Sequence, residues 1–192
     1  MNQKIDKISK KLKKKLDAGR YEHTLGVMYT AGAMAMAYGI DLESALLAGL
    51  LHDCAKCIPG REKIKICRKN GISVSKVELA NPSLLHAKLG AFIAQTEYMI
   101  EDDDILNAIK SHTTGRPKMS TLEKIVYIAD YIEPNRQPLP NMNEARYLAF
   151  HDLNECLYLI LRDSVVYLKS KDMPIDEMTE KTFNYYKDKL GK

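Results

Sequence analysis

Apolar residues recur at intervals of three and four from the first turns of the chain to the last, while alternating runs rich in Val, Ile and Thr are nearly absent. A helix gathers residues i, i+3, i+4 and i+7 on one face, so this spacing restricts the chain to an all-α fold. The 192 residues, 45% of them hydrophobic, suffice for one core. The expected organisation is a single compact helical domain over 1–192, with a basic N-terminal helix over 1–17 and a body over 18–190.

Punctuation residues divide the periodic pattern. A helix over Tyr21–Tyr38 is expected to stop at Gly39, and Asp41 to cap the next, which runs to about Lys56 before Pro59 and Gly60. Arg61–Asn70 ends at Gly71, and Asn81-Pro82 opens a helix that reaches about Tyr98. Asp102 starts a helix to about Ser111, and Ser120 with Glu123 has capping-box spacing ahead of a helix to Ile132, closed by Pro134. After a loop over Asn135–Asn141, one long helix over Asn143–Lys171 and a last one over Asp176–Leu190 complete the expected set.

The net charge of +4 is uneven. Residues 1–20 hold eight Lys/Arg against two Asp, a net +6, so the remainder carries −2. Ile5, Ile8, Leu12 and Leu16 follow helical spacing, which puts Lys4, Lys7, Lys10, Lys11, Lys13, Lys14 and Lys15 on the opposite face. That face reads as solvated, with a nucleic-acid or anionic-surface contact as the alternative. No apolar run is long enough for a membrane span and no apolar block resembles a secretion signal, so a soluble cytoplasmic protein is expected. Cys54, Cys57, Cys67 and Cys156 sit in periodic segments and read as reduced, small apolar side chains; Cys54-x-x-Cys57 lacks the second pair a structural zinc site needs.

Four of the five histidines fall one to a helical segment, His23, His52, His86 and His112, and Asp53 and Asp130 join the series. The His52-Asp53 pair ends an otherwise apolar stretch, Ala45–Leu51, where a carboxylate is costly unless a cation neutralises it. A divalent metal would do so, and the last turn of a helix favours it further through its exposed carbonyls. Imidazole nitrogen mixed with carboxylate oxygen suits Fe, Mn, Co or Zn better than Ca. His151 has no partner in this pattern, and Arg116 reads as a flexible surface arginine.

Taken together, Arg20-Tyr21-Glu22-His23-Thr24, Leu51-His52-Asp53-x-x-Lys56, the lone His86, His112-Thr113-Thr114-Gly115 and Ile128-Ala129-Asp130-Tyr131-Ile132-Glu133-Pro134-x-Arg136 resemble the HD superfamily. More narrowly they are similar to its YqeK-type symmetrical diadenosine tetraphosphate hydrolases, over roughly residues 18–190. The resemblance implies a divalent transition metal, iron foremost, and cleavage of the tetraphosphate bridge in its middle by metal-activated water, giving two ADP. It implies His23, His52, Asp53 and Asp130 as metal ligands. His86 and His112 would face the phosphates or complete a second metal position, and Arg136 would grip phosphate. The segment that contacts nucleotide in that family reads Ile175-Asp176-Glu177-Met178-Thr179-Glu180 here, keeping Thr179 but not the usual histidine and proline.

A phosphoanhydride repels hydroxide, so its hydrolysis needs a local nucleophile and charge neutralisation. Asp53 is expected to orient or deprotonate the attacking water, and Lys56 and Arg136 to offset charge on the leaving group. The expected partner is thus a dinucleoside polyphosphate, with neither membrane nor nucleic acid required and with a homodimer allowed. The alternatives are an HD phosphohydrolase for a mononucleotide, cyclic nucleotide or alarmone, and a non-catalytic nucleic-acid or ribosome-associated protein that uses the lysine face.

Overall fold

The computed structural model describes residues 3–192, and the described residues form helices joined by turns, with no strand. α1 (Gln3–Lys15) turns its stripe of Ile5, Ile8 and Leu12 inward and leaves lysines outside. α2 (Ala18–Tyr38) is capped by Asp17, whose carboxylate accepts the Arg20 N–H at 2.8 Å, and ends on Gly39 at φ 66°, a left-handed position natural to glycine. α3 (Leu42–Leu51) is capped by Asp41 and is wholly apolar from Ala45 onward, as befits a central helix. α4 (Gly60–Lys69), α5 (Lys76–Ala80), a single 3-10 turn at Pro82–Leu84 and α6 (Leu85–Tyr98) follow. α7 (Asp103–Ser111) and α8 (Thr121–Ile132) complete the body, and α9 (Met142–Leu148), α10 (Leu153–Ser170) and α11 (Glu177–Lys189) close the chain. No helix among the described residues is long and apolar enough to cross a membrane.

Two expected helices shorten or break, each because a side chain competes with the helical ladder, and one short helix is added. α3 stops at Leu51 instead of reaching Lys56: the Gly49 carbonyl accepts the His52 Nδ1–H at 2.7 Å, and the chain beyond closes over three residues, Cys54 N–H to Leu51 O and Lys56 N–H to Asp53 O. The expected long helix over 143–171 breaks into α9 and α10 because Asp152 adopts an extended conformation and accepts the N–H groups of Asn154 and Glu155. A capping box at Ser75 and Glu78 starts the short α5, which the periodicity is too brief to reveal.

α2 packs along α3, α8 lies against both, and α7 lies against α3 and α8, so these four helices surround the common core. The α2–α3 approach is close because glycines face it. A Cβ on Gly49 would lie 2.9 Å from the Met28 Cα, and one on Gly32 would lie 2.8 Å from a Leu46 methyl. The obstacle at Gly49 is backbone, which cannot swing aside. Replacing Gly49→Ala should therefore push the helices apart and destabilise the protein by about 1–3 kcal/mol, read as a lowered midpoint in urea; an unchanged midpoint would contradict the packing described.

Candidate metal centre

His52, fully buried, is the cap residue at the C-terminus of α3, and His112 holds the same place on α7. Helix ends leave carbonyls without intrahelical partners, and each of these imidazoles uses one. His52 Nδ1–H donates to Gly49 O and His112 Nδ1–H to Ile109 O, both at 2.7 Å. His86, in the first turn of α6, donates in the same way to Ser83 O of the preceding 3-10 turn. All three bonds reach back three residues. With Nδ1 engaged in this way, each ring turns its Nε2 to the interior of the cleft.

His23 on α2 has the same orientation by a different device. Its Nδ1 donates to the buried Glu133 carboxylate at 3.0 Å, and the other oxygen of Glu133 accepts the Asn135 N–H at 2.7 Å. Glu133 fits against α2 only because Gly26 has no side chain: a Cβ there would lie 2.3 Å from its carboxylate oxygen.

The Nε2 atoms and two carboxylates converge. Asp130 Oδ1 lies 3.0 Å from His23 Nε2 and 3.9 Å from His52 Nε2. Asp53 Oδ2 lies 3.5 Å from His52 Nε2 and 3.9 Å from His23 Nε2. On the other side Asp53 Oδ1 lies 3.1 Å from His86 Nε2 and 3.6 Å from His112 Nε2. His23, His52 and Asp130 form one group able to hold an ion, and His52, Asp53 and His112 another, the donor atoms within each lying inside 4.8 Å of one another.

Three of these buried atoms, His23 Nε2, His52 Nε2 and Asp53 Oδ1, make no hydrogen bond. His23 Nε2 lies 3.0 Å from Asp130 Oδ1 yet makes no hydrogen bond with it. Unsatisfied buried donors and acceptors cost about 1–3 kcal/mol each; a divalent ion held by His23, His52 and Asp130 would satisfy the two imidazoles, and one held by His52, Asp53 and His112 would satisfy His52 with Asp53. The donor set, imidazole nitrogen with carboxylate oxygen, fits such an ion.

Charge in the centre is finely opposed. Burial pushes the Asp53 carboxyl upward, but the surrounding imidazoles outweigh it and hold it well below the usual range. For Asp130 burial acts in the same upward sense and is overcome by His23, His52, His112 and Arg136. Burial lowers His23, yet Asp130 and Glu133 reverse the sign and leave it raised. His86, for which burial prevails, is pushed down to about 4 and is neutral at pH 7.

Cations border the cup. Arg20 Nη1 donates to Asp53 Oδ2 at 2.7 Å, Lys56 Nζ lies 3.6 Å from Asp53 Oδ1 and 3.2 Å from His86 Nε2, and Arg136 Nη1 approaches Asp130 Oδ1 at 3.4 Å. Thr113 Oγ1 stands 3.3 Å from both His86 and His112 Nε2. Eight of the nine singled-out residues therefore meet here: His23, His52, Asp53, Lys56, His86, His112, Asp130 and Arg136. Thr179 does not: it is buried near the start of α11 and is not among the residues that line the cleft.

Arg20, Thr113 and Glu133 lay inside the motifs that drew attention, but their contacts follow from folding alone. Arg116 also differs from its expected looseness, since it clasps the buried Glu123 carboxylate by two bonds of 2.6 and 2.7 Å. Exposed His151 stacks on Tyr147, away from the cup.

If Glu133 orients His23, then Glu133→Gln should weaken metal binding roughly 10–100-fold while leaving the helical content intact. Competition with a chromogenic chelator measures this; an affinity equal to wild type would show that His23 needs no such partner.

The HD domain family model matches residues 20–135, a span that contains His23, His52, Asp53, His86, His112 and Asp130. The chain is 41% identical over 174 residues to the symmetrical bis(5′-nucleosyl)-tetraphosphatase of Bacillus subtilis (strain 168), covering 91% of this chain and 92% of that one. It is 43% identical over 173 residues to the protein of the same name from Halalkalibacterium halodurans, covering 90% and 91%. Among solved structures, the crystal structure of a predicted HD superfamily hydrolase involved in NAD metabolism from Clostridium acetobutylicum matches with a TM-score of 0.92 at 42% identity, over 96% of this chain and 97% of that one. Motif, geometry and relatives agree: the chain belongs to the HD-domain family, alongside its symmetrical bis(5′-nucleosyl)-tetraphosphatases.

Proposed function

We propose that this protein hydrolyses dinucleoside tetraphosphates at the central phosphoanhydride, converting diadenosine tetraphosphate and water into two ADP. The observation that carries the reading is the convergence of four Nε2 atoms and two carboxylates on one cleft bordered by Lys56, Arg20 and Arg136. Relatives that share over nine-tenths of their length with this chain bear the corresponding name.

His23, His52, Asp53 and Asp130 are the proposed ligands of a divalent transition metal, iron in the first instance, with Mn, Co or Zn as the other ions suited to a mixed nitrogen and oxygen set. Such an ion, when bound, supplies charge neutralisation at the phosphate and activation of water near neutral pH. Asp53, ionised at neutral pH, orients the attacking water through its free Oδ1. Neutral His86, with His112 and Thr113 beside it, faces the phosphates or completes a second metal position. Lys56 and Arg136 offset the charge that develops on the departing ADP. Thr179 enters this scheme only through α11, whose Thr182 packs against the Gly115 turn beyond His112.

Two measurements test the reading. Protein purified without chelator should carry near-stoichiometric transition metal by elemental analysis and release ADP as the sole nucleotide product from diadenosine tetraphosphate. The His52→Ala variant should lose both the metal and the turnover. Retained turnover in that variant, or orthophosphate release from a mononucleotide at far higher efficiency, would overturn the assignment.

A further inference from the structure

Three clefts form one track beside the cup. The first, about 230 Å³, is walled by Lys56, His86, His112 and Arg136. Arg136 is shared with a second of about 440 Å³, which also takes in Arg20 and His23. Glu22 and Asn135 are shared in turn with a third of about 670 Å³, whose walls are largely apolar and include Leu25, Tyr29, Ala33, Ile132 and Phe150.

The chemistry along the track changes in a definite order. Cations come first, around the carboxylates and imidazoles of the metal cup. A carboxylate and an amide follow at Glu22 and Asn135, and aromatic and aliphatic walls complete the sequence. A nucleoside polyphosphate has the same order: anionic phosphates, a ribose diol that donates to carboxylate oxygen, then a flat base that stacks on rings. A protein surface docking here would have no reason to reproduce it.

The centre also lacks two-fold symmetry, so the two identical nucleosides of a dinucleoside substrate must meet different surfaces. We infer that the apolar cleft between α2 and α9 receives the second nucleoside, with its base between Tyr29 and Phe150 and its ribose at Glu22. This rests on the hydrolase reading and deepens it, since it assigns the source of selectivity for a dinucleotide over a mononucleotide. The reach is adequate. His23 and Ala33 are separated by about 15 Å along α2, the order of span from the bond cut to the far edge of a base.

Arg146 contributes to the far wall as a fixed element. Its guanidinium donates to the carbonyls of Ile132 at 3.1 Å and Glu133 at 3.2 Å, which ties α9 to the end of α8 beside Glu133, the partner of His23. The cleft is thus held in register with the metal cup by side-chain bonds to main-chain carbonyls, as a subsite for one end of a substrate should be.

The test compares diadenosine tetraphosphate with adenosine 5′-tetraphosphate, which has the same phosphates but no second nucleoside and would be cut to ADP and pyrophosphate. Wild type should prefer the dinucleotide in kcat/KM by about tenfold or more. Ala33→Trp, which fills the cleft from α2, should reduce that ratio about tenfold through KM of the dinucleotide, and Phe150→Ala, which strips an exposed wall, by several-fold in the same direction. Melting temperature and metal content are measured on both variants, and Phe150→Ala serves if the bulkier change disturbs folding. An unaltered ratio in the folded variants, or no preference in wild type, would overturn the subsite. Wild type that yields no ADP from diadenosine tetraphosphate would overturn the hydrolase reading itself.

Discussion

Four hydrogen bonds decide what this centre can do: those by which His23, His52, His86 and His112 each donate the Nδ1–H to an oxygen behind the ring. An imidazole left to itself exchanges protons between its nitrogens and turns about its own bonds. Here the donor side is engaged, so the lone pair on the opposite nitrogen has one direction to face. Without that constraint the same residues would satisfy one another, and no set of unsatisfied donor atoms would collect around a common point.

Behind His52 and His112 the oxygens come from the ends of helices, which explains why these candidate ligands sit where they do. α3 and α7 both finish at the cup, and the carbonyls they leave over are the acceptors used by His52 and His112. The same ends carry partial negative charge, which adds to the attraction for a cation. His23 joins them because α2 lies close on α3, an approach that Gly49 and Gly32 permit. Packing, local hydrogen bonding and electrostatics therefore act through the same few residues.

Much of this was legible in the sequence, and the reasons for the gaps are physical. The dipeptide His52-Asp53 at the edge of an apolar run is incompatible with simple burial, and that incompatibility alone points to a cation. Helix positions followed from period and caps. Where a side chain took a backbone acceptor, as at His52 and Asp152, the periodicity carried on while the helix did not, and the expected boundaries failed. Glu133 is harder to read. Its position depends on the missing side chain of Gly26, more than a hundred residues earlier, and nothing local to either residue records the pairing. Thr179 illustrates the converse, since a matching residue type says nothing about whether the helix that carries it turns that face to the cleft.

The two ways of aiming an imidazole differ in what inheritance can do to them. A carbonyl belongs to every residue, so no single substitution at positions 49, 83 or 109 can delete the acceptor behind His52, His86 or His112; only a change in the path of the chain can. His23 depends on a carboxylate that one codon change removes. The centre is consequently robust to drift on three sides and fragile on the fourth, and a lineage that abandoned this chemistry would have its shortest route through Glu133.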